Sequence, residues 1–217
     1  MFKTNLLTLI SIILIISCGD KVREEITERY DNGSKKLLVK YKGSDNTIVE
    51  RTTYSENGDT LLFEKPLDKI KMEKVYYSNG QIKEIINYKN EKMDGKYVLY
   101  YLSGNLYMKG TYKDGIRAEQ WFQYFENGQP WTISPIYHEG KRNGKYIEYY
   151  ENGDVLAEAS FKDDKKNGKL IHYSETGEIT LEGNFIMGDG KLIGYRNGKI
   201  ISETNILNGE IVDTKRY

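Results

Sequence analysis

An internal repeat of about 24 residues constrains this chain more than any other feature. One series of turn-type glycines comprises Gly80, Gly104, Gly128, Gly153, Gly177 and Gly198, with successive gaps of 24, 24, 25, 24 and 21 residues. A second series comprises Gly95, Gly144, Gly168, Gly190 and Gly209, with Glu119 where a glycine is expected. A fixed period of this kind indicates a stacked array in which each repeat packs against its neighbours.

The segments between the two glycine series have the composition of β-strands. They read KYVLYY, QWFQYF, KYIEYY, KLIHYS and KLIGYR, starting at Lys96, Gln120, Lys145, Lys169 and Lys191. Aromatic and β-branched runs bounded by turn residues are typical of strands. Because Asn-Gly tolerates positive φ at both residues, we expect each first turn to be a two-residue loop that closes a hairpin. The second glycine series is interpreted as the turns that follow.

Two-residue loops would place large side chains opposite small ones. The expected pairs are Tyr97 with Gly110, Leu99 with Met108, Tyr101 with Leu106, Trp121 with Ser134, Tyr146 with Ala159, Leu170 with Gly183, and Trp131 with Tyr124. Such pairs cover exposed backbone and fix the register. We expect Gly110→Val to disturb its hairpin by crowding Tyr97.

A column of tyrosines is expected on the opposite face. It comprises Tyr100, Tyr124, Tyr149, Tyr173 and Tyr195, one on every second strand and therefore about 10 Å apart. The rings could hold a glycan or an extended polypeptide, or they could only stabilise the sheet. Trp121 and Trp131 lie in one hairpin that Pro130 and Pro135 interrupt, which makes that hairpin the best candidate for a local contact site.

These repeats resemble the variant MORN repeat, a bacterial form with a Tyr-x-x-Asn-Gly hairpin followed by a Gly-x-x-x-x-Tyr-Tyr strand. The matching segments are YYSNG at 76–80, YFENG at 124–128, YYENG at 149–153, and the strands GKYVLYY and GKYIEYY. The resemblance implies an all-β fold, an elongated single-layer antiparallel sheet of stacked hairpins used for protein or membrane contact. Some relatives are labelled antitoxins. The departures are Glu119, the shortened last two units, and the two prolines.

The N-terminal segment 1–17 is a short apolar run with one basic residue, Lys3. It is shorter than the roughly 20 residues of a membrane-spanning helix and is typical of a signal peptide. It ends IISCG, which resembles the lipobox of bacterial lipoproteins, so we expect Cys18 to be lipidated and to become the first mature residue. The alternatives are an uncleaved anchor or a free cysteine. Cys18 is the only cysteine in the chain, so the mature protein would have no disulfide.

The sequence predicts five segments after this pattern is applied to the whole chain. They are a signal peptide at 1–17, a charged tether at 18–29, degenerate hairpin repeats at 30–65, a joint at 66–74, and six MORN-like hairpins at 75–217. The segment DKVREEITER could also begin a helix, but we favour a tether. The joint is placed at Pro66 because proline cannot donate a hydrogen bond to a β-ladder.

Charge and residue chemistry argue against several function classes. Lys and Arg total 32, as do Asp and Glu, so no nucleic acid partner is expected. His138 and His172 share no ligand spacing, Asp163-Asp164 falls in a turn, and no pair of groups has the arrangement of a general acid and base. We therefore expect no enzyme activity, no metal site and no cofactor.

Three functions remain open at this stage. The leading hypothesis is a non-enzymatic cell-envelope lipoprotein, held on the membrane through Cys18, whose repeat sheet binds a protein or a glycan. The second is an antitoxin-like protein-binding module, and the third is an envelope polysaccharide or peptidoglycan hydrolase. The terminal hairpin leaves an edge strand that could pair with a second copy.

Overall fold

The computed structural model describes residues 13–14, 22–44 and 46–217. Within these ranges the secondary structure consists of strands and turns, and no helix there is long and apolar enough to cross a membrane. The prediction of an all-β fold is confirmed. The chain divides into two units, residues 1–94 and 95–217.

The first unit is an antiparallel sheet in which successive strands pair with each other. Its strands are β1 (Ile13–Leu14), β2 (Val22–Arg29), β3 (Lys35–Lys42), β4 (Thr47–Tyr54), β5 (Thr60–Lys65), β6 (Ile70–Tyr76) and β7 (Ile82–Lys89). The hairpins β2–β3 and β4–β5 correspond to the two degenerate copies expected before the regular repeats.

Two predicted boundaries in this unit are wrong. The expected tether contains β2, whose carboxylates pair with lysines of β3, as in Glu28 with Lys36 and Glu24 with Lys40, both at 3.1 Å. Cross-strand pairing thus neutralises a charge run that suggested an unstructured segment. The expected joint shrinks to a turn at residues 66–69, closed by the Lys69 amide donating to the Pro66 carbonyl, and β6 occupies the rest.

The second unit continues the same pattern through longer strands. They are β8 (Lys92–Tyr100), which begins before the boundary, β9 (Leu106–Lys113), β10 (Ile116–Tyr124), β11 (Pro130–Ile133), β12 (Ile136–His138), β13 (Lys141–Tyr149), β14 (Val155–Lys162), β15 (Lys165–Tyr173), β16 (Ile179–Ile186), β17 (Asp189–Arg196), β18 (Lys199–Leu207) and β19 (Glu210–Arg216). All of these pairings are antiparallel. Between β10 and β13 the position of a single strand is shared by β11 and β12, each of which pairs with both neighbours.

The first turns are three-residue loops, and the expectation of two-residue Asn-Gly loops is wrong for all but the last. In the β13–β14 hairpin the Gly153 amide donates to the Tyr150 carbonyl, and the Tyr150 amide donates to the Asp154 carbonyl. Only Gly153 has positive φ there, at +93°, which is the geometry of a type I turn followed by a glycine bulge. The extra residue shifts the register beside each turn.

Four of the second turns lie four or five residues before the positions to which the sequence assigned them. The turn at residues 187–188 lies two or three residues before Gly190, and the turn at Gly209 is where the sequence placed it. Each is a two-residue loop with positive φ at both positions, for example Asp163 (+49°) and Asp164 (+67°), and this is the hairpin turn that matches strand twist. Gly168 lies inside β15 with φ of +104°, and Glu119 lies inside β10 with φ of +57°. The register shifts opposite both residues, so these positions are β-bulges rather than turns.

The polar residue before Gly144, Gly168 or Gly190 holds the next turn in place. Asn143 Oδ1 accepts from the Asp163 amide at 3.1 Å, and Asn167 Oδ1 accepts from the Met187 amide at 3.1 Å. Asp189 Oδ1 accepts from the Asn208 amide in the same way. The Asn-Gly pairs at these places therefore connect neighbouring hairpins, as expected of an array stabilised by nearest-neighbour contacts.

Most of the expected cross-strand pairs are confirmed. Tyr97 faces Gly110, Leu99 faces Met108, Tyr146 faces Ala159 and Leu170 faces Gly183, and the Ser134 amide donates to the Trp121 carbonyl at 2.8 Å. The two pairs nearest the turns are wrong, because the turn bulge places Leu106 opposite Tyr100 and Pro130 opposite Tyr124.

The core of the second unit runs along one face of its sheet. Tyr97, Trp121, Ala159, Leu170 and Phe185 are buried there, with Trp121 and Phe185 each only 2% exposed. Burial of side chains this large contributes about 1.5–3 kcal/mol each. The ring of Trp121 lies over Gly110, where an added Cβ would fall 2.2 Å from Cδ2. The residue that a larger side chain would crowd is therefore Trp121 rather than Tyr97.

Candidate binding site

The tyrosine column lies on the face opposite to the core. In β13, Ile147 and Tyr149 alternate with the core-facing Tyr146, and β15 and β17 repeat this arrangement. All five column tyrosines are half-buried. Tyr195 donates its hydroxyl to Glu182 Oε1 at 2.7 Å, and Lys109 Nζ lies 5.5 Å from the centre of the Tyr124 ring.

Lysine and glutamate side chains accompany the tyrosines on this face. Lys145 Nζ lies 2.6 Å from Glu158 Oε2, and Lys191 Nζ lies 2.5 Å from Glu203 Oε2. Hydrogen bonding to Glu158 raises the pKa of Lys145, and hydrogen bonding to Lys191 lowers the pKa of Glu203. These glutamates act as cross-strand partners of the lysines.

A second set of tyrosines connects successive hairpins, a role that the sequence analysis did not predict. The hydroxyls of Tyr30, Tyr101 and Tyr150 each donate to a backbone carbonyl in the following hairpin, at 2.8 Å in all three cases. The acceptors are the carbonyls of Tyr54, Tyr124 and Tyr173. The only available signal was the recurrence of an aromatic residue three positions before the turn glycine.

The hairpin formed by β10, β11 and β12, here called the irregular hairpin, departs from this pattern at Ser134 and Pro135. Pro135 is fully buried and separates β11 from β12. Ser134 Oγ accepts from the Trp121 amide at 2.8 Å and donates to the Pro135 carbonyl at 2.8 Å. A side-chain hydroxyl thus replaces the ladder bonds that are lost beside the proline.

The two tryptophans of the irregular hairpin belong to separate aromatic groups. Trp121 contacts Tyr97 and Tyr112, with ring centres 5.6 and 4.9 Å away. Trp131 contacts Phe125 at 5.8 Å and Tyr107 at 6.4 Å. The structure therefore does not bring the two predicted tryptophans together, and only Trp121 is fully buried.

A cavity of about 120 Å³ lies beside Trp121. Its lining comprises Met108, Arg117, Trp121, Gln123, Thr132, Ser134, Pro135, Tyr137, Arg142 and Tyr146. The guanidinium of Arg117 stacks on Trp121, with Cζ 4.3 Å from the ring centre. Burial alone would lower the pKa of Arg117, but hydrogen bonds with the Tyr137 and Tyr112 hydroxyls outweigh it and the pKa is raised. Sequence reasoning did not identify either arginine.

The two histidines lie on different strands and do not form a common ligand site. His138 ends β12 and is exposed, whereas His172 is half-buried in β15, where burial lowers its pKa. Among the residues that the structure describes, no group of three His, Cys, Asp or Glu side chains has the geometry to hold a metal ion. The predicted lipidation site, Cys18, lies outside the described residues.

Comparison with known proteins supports the repeat assignment. The family model described as MORN repeat variant matches residues 72–90, 93–114 and 142–163, and no curated relative matches the chain. A solved structure of the Photorhabdus luminescens Tc holotoxin pore aligns with 12% identity over 85% of this chain and 12% of that chain, with a TM-score of 0.32. The three matched segments are variant MORN repeats.

Proposed function

We propose that this protein is a non-enzymatic binding scaffold of the cell envelope, tethered to the membrane through a lipid on Cys18. The observation that carries the scaffold role is the repetition of one surface pattern on successive hairpins. A lysine, an isoleucine and a tyrosine alternate along β13, β15 and β17, beside a glutamate on the neighbouring strand. A uniform surface of this kind suits a long, repetitive ligand such as a polypeptide or a glycan.

The internal pairing of this face supports binding rather than catalysis. Glu158, Glu182 and Glu203 already engage Lys145, Tyr195 and Lys191. A general acid or base needs a carboxylate within reach of substrate and with a pKa suited to proton transfer. On this surface the carboxylates instead fix neighbouring side chains, and the tyrosine rings supply the area for contact.

The tether is inferred from the sequence around Cys18. Cleavage before this residue would remove β1, so that β2 would keep β3 as its pairing partner. A lipidated Cys18 carrying more than one acyl chain would hold the protein stably, because each buried methylene contributes about 0.8 kcal/mol and a single chain binds only reversibly.

Photo-crosslinking in the native envelope tests the scaffold role. The photoreactive amino acid benzoylphenylalanine replaces Tyr149 or Tyr173 on the column face, and the matched control places it at Thr176, an exposed turn residue. We expect the two column positions to give the same adduct of discrete mass and Thr176 to give none. Adducts that are absent from both column positions, or equally abundant at Thr176, would contradict the proposal.

A further inference from the structure

The cavity in the irregular hairpin is produced by features that no other described hairpin of the second unit combines. The interval from Gly128 to Gly153 is one residue longer than its neighbours, and the chain accommodates the difference where Pro135 separates β11 from β12. The lining residues come from β9 to β13 and meet beside a single tryptophan. The cavity is therefore a local departure from the repeat rather than part of it.

The charged side chains that line the cavity are all positive. It contains Arg117 and Arg142 but no aspartate or glutamate. Arg142 is already neutralised, since its Nε donates to Asp164 Oδ1 at 2.9 Å. Arg117 lies over the Trp121 and Tyr137 rings and interacts with the Tyr137 and Tyr112 hydroxyls, and no ion pair joins it to a carboxylate among the described residues. A partly buried arginine without a carboxylate partner retains an unmet demand for a negatively charged acceptor.

The indole N–H of Trp121 is a second unsatisfied hydrogen-bond donor in the lining. The residue is 2% exposed, and its Nε1 has no hydrogen-bond acceptor among the residues that the structure describes. Leaving a buried donor unsatisfied costs about 1–3 kcal/mol, and buried Trp N–H groups usually find a partner. Trp121 and Arg117 both line the cavity, so the two donors belong to side chains of the same site.

We propose that this cavity binds a carboxylate group. The Arg117 guanidinium supplies the charge-assisted hydrogen bonds, and the Trp121 N–H supplies a further donor. Ser134 and Thr132 add hydroxyls to the lining, although each already donates, to the Pro135 carbonyl and to Gln123 Oε1 respectively. The volume suits a carboxylate with a short aliphatic stem, either a free acid or an acidic side chain of a partner polypeptide. This site does not depend on the tether or on the tyrosine column.

Glu148, an acidic residue that contacts the lining residue Tyr146, does not fill this role. Glu148 is absent from the lining, and its Oε2 accepts the Tyr146 hydroxyl at 3.1 Å. Burial, together with the adjacent Glu148 carboxylate, raises the pKa of Tyr146. Arg117 therefore remains the lining cation without a carboxylate partner among the described residues.

Titration followed by the indole NMR signal tests the site directly. The chain contains two tryptophans, so Trp131→Phe leaves the Trp121 N–H as the only indole resonance. The full ¹⁵N-labelled chain is titrated with sodium propanoate at constant ionic strength and, in parallel, with propanamide, the neutral analogue. We expect propanoate to give a saturable downfield shift of the Trp121 indole proton and propanamide to give none.

Two further arms assign the source of the carboxylate and the role of Arg117. A blocked tripeptide with a central glutamate is compared with its glutamine counterpart, so saturation by the glutamate peptide alone identifies a polypeptide ligand and saturation by propanoate identifies a free acid. Arg117→Gln should weaken binding at least about tenfold. Arg196→Gln, which removes the same charge from an exposed position of β17, should leave binding unchanged.

The proposal fails under three results. These are the absence of a saturable shift with both propanoate and the glutamate peptide, equal shifts with the neutral analogues, and equal weakening by Arg117→Gln and Arg196→Gln. If Arg117→Gln does not fold, the comparison of charged and neutral ligands on the Trp131→Phe protein decides the question alone.

Discussion

The regular hairpins from β13 to β18 and the irregular hairpin solve the same packing problem differently. In the regular hairpins a large residue covers a small one, as Leu170 covers Gly183, and the ladder supplies the backbone hydrogen bonds. In the irregular hairpin a serine hydroxyl replaces ladder bonds, a proline is buried, and a tryptophan keeps an unsatisfied N–H. Repetition thus gives stability and a uniform surface, whereas its interruption gives a defined cavity.

This difference separates residues that hold the array together from residues available for recognition. Contacts between hairpins engage the hydroxyls of Tyr101 and Tyr150 beside the turns. They also engage the side-chain amides of Asn143 and Asn167 beside the bulges. Among the described residues, Arg117 has no carboxylate partner and the Trp121 N–H has no acceptor. Substitutions in the two regions should therefore affect different measurements.

The largest expected effect is overpacking at the glycines beneath buried rings. Gly110→Val should lower the free energy of unfolding by about 3 kcal/mol, because its Cβ would meet Trp121 at 2.2 Å. Gly183→Val in a regular hairpin should cost a similar amount, since its Cβ would meet the Lys191 carbonyl. Urea unfolding measures both, with Glu175→Ala in an exposed turn as the control. Unchanged unfolding in either valine variant would refute the packing described here.

The next largest effect is expected at the Ser134 hydroxyl, which replaces a ladder hydrogen bond in the irregular hairpin. Ser134→Ala leaves the Trp121 amide without its acceptor, which should cost about 1–3 kcal/mol. Ser160→Ala, in the regular strand β14, should change the free energy of unfolding by less than about 0.5 kcal/mol. Equal costs in chemical denaturation would show that Ser134 does not have the role assigned to it.

A smaller effect is expected from the tyrosine hydroxyls that join neighbouring hairpins. Tyr150→Phe removes the 2.8 Å hydrogen bond to the Tyr173 carbonyl and should cost about 1 kcal/mol. Tyr101→Phe should behave alike, because its hydroxyl makes the corresponding bond to the Tyr124 carbonyl. Thermal unfolding of the two variants beside Tyr173→Phe tests this, and a larger loss in Tyr173→Phe would reverse the roles assigned to the two tyrosine sets.

The smallest effect concerns acidification. Burial lowers the pKa of His172 below its ordinary value of 6.5, so the unfolded chain binds a proton more readily than the folded one. The contribution of neutral His172 to the free energy of unfolding is fully present above about pH 6.5. It decreases as the pH drops towards the pKa of His172 in the folded state. His172→Gln should make this fall less steep, whereas His138→Gln at an exposed position should not. Identical pH profiles for all three proteins would argue against burial of His172.

Much of this fold was predictable because strand composition and glycine spacing carry the repeat. The pairs Tyr97 with Gly110 and Tyr146 with Ala159 followed from counting residues away from the turns. The turns themselves were not predictable in detail, because Asn-Gly occurs both in three-residue loops and before bulges. Gly153 and Gly168 both have positive φ, and only the backbone pairing distinguishes Gly153, in a turn, from Gly168, inside a strand.

The candidate site was predictable only in part. Trp121 and the two prolines marked the irregular hairpin, because they break the repeat. Arg117 gave no sequence signal, and the expected pairing of Ser134 with Trp121 did not indicate the role of the hydroxyl, since both depend on which strands meet beside Pro135. The charged segment containing β2 shows the same limitation, because its partner strand, rather than its own composition, determines its structure.

Intact mass combined with membrane fractionation tests the central proposal, a tethered scaffold, most directly. The native protein is compared with a Cys18→Ala variant expressed at the same level. We expect the native chain to lose its first seventeen residues, gain the mass of acyl chains and sediment with membranes, and the variant to lose both modification and membrane association. A full-length, unmodified chain in the soluble fraction for both proteins would contradict the tether and favour the antitoxin-like alternative.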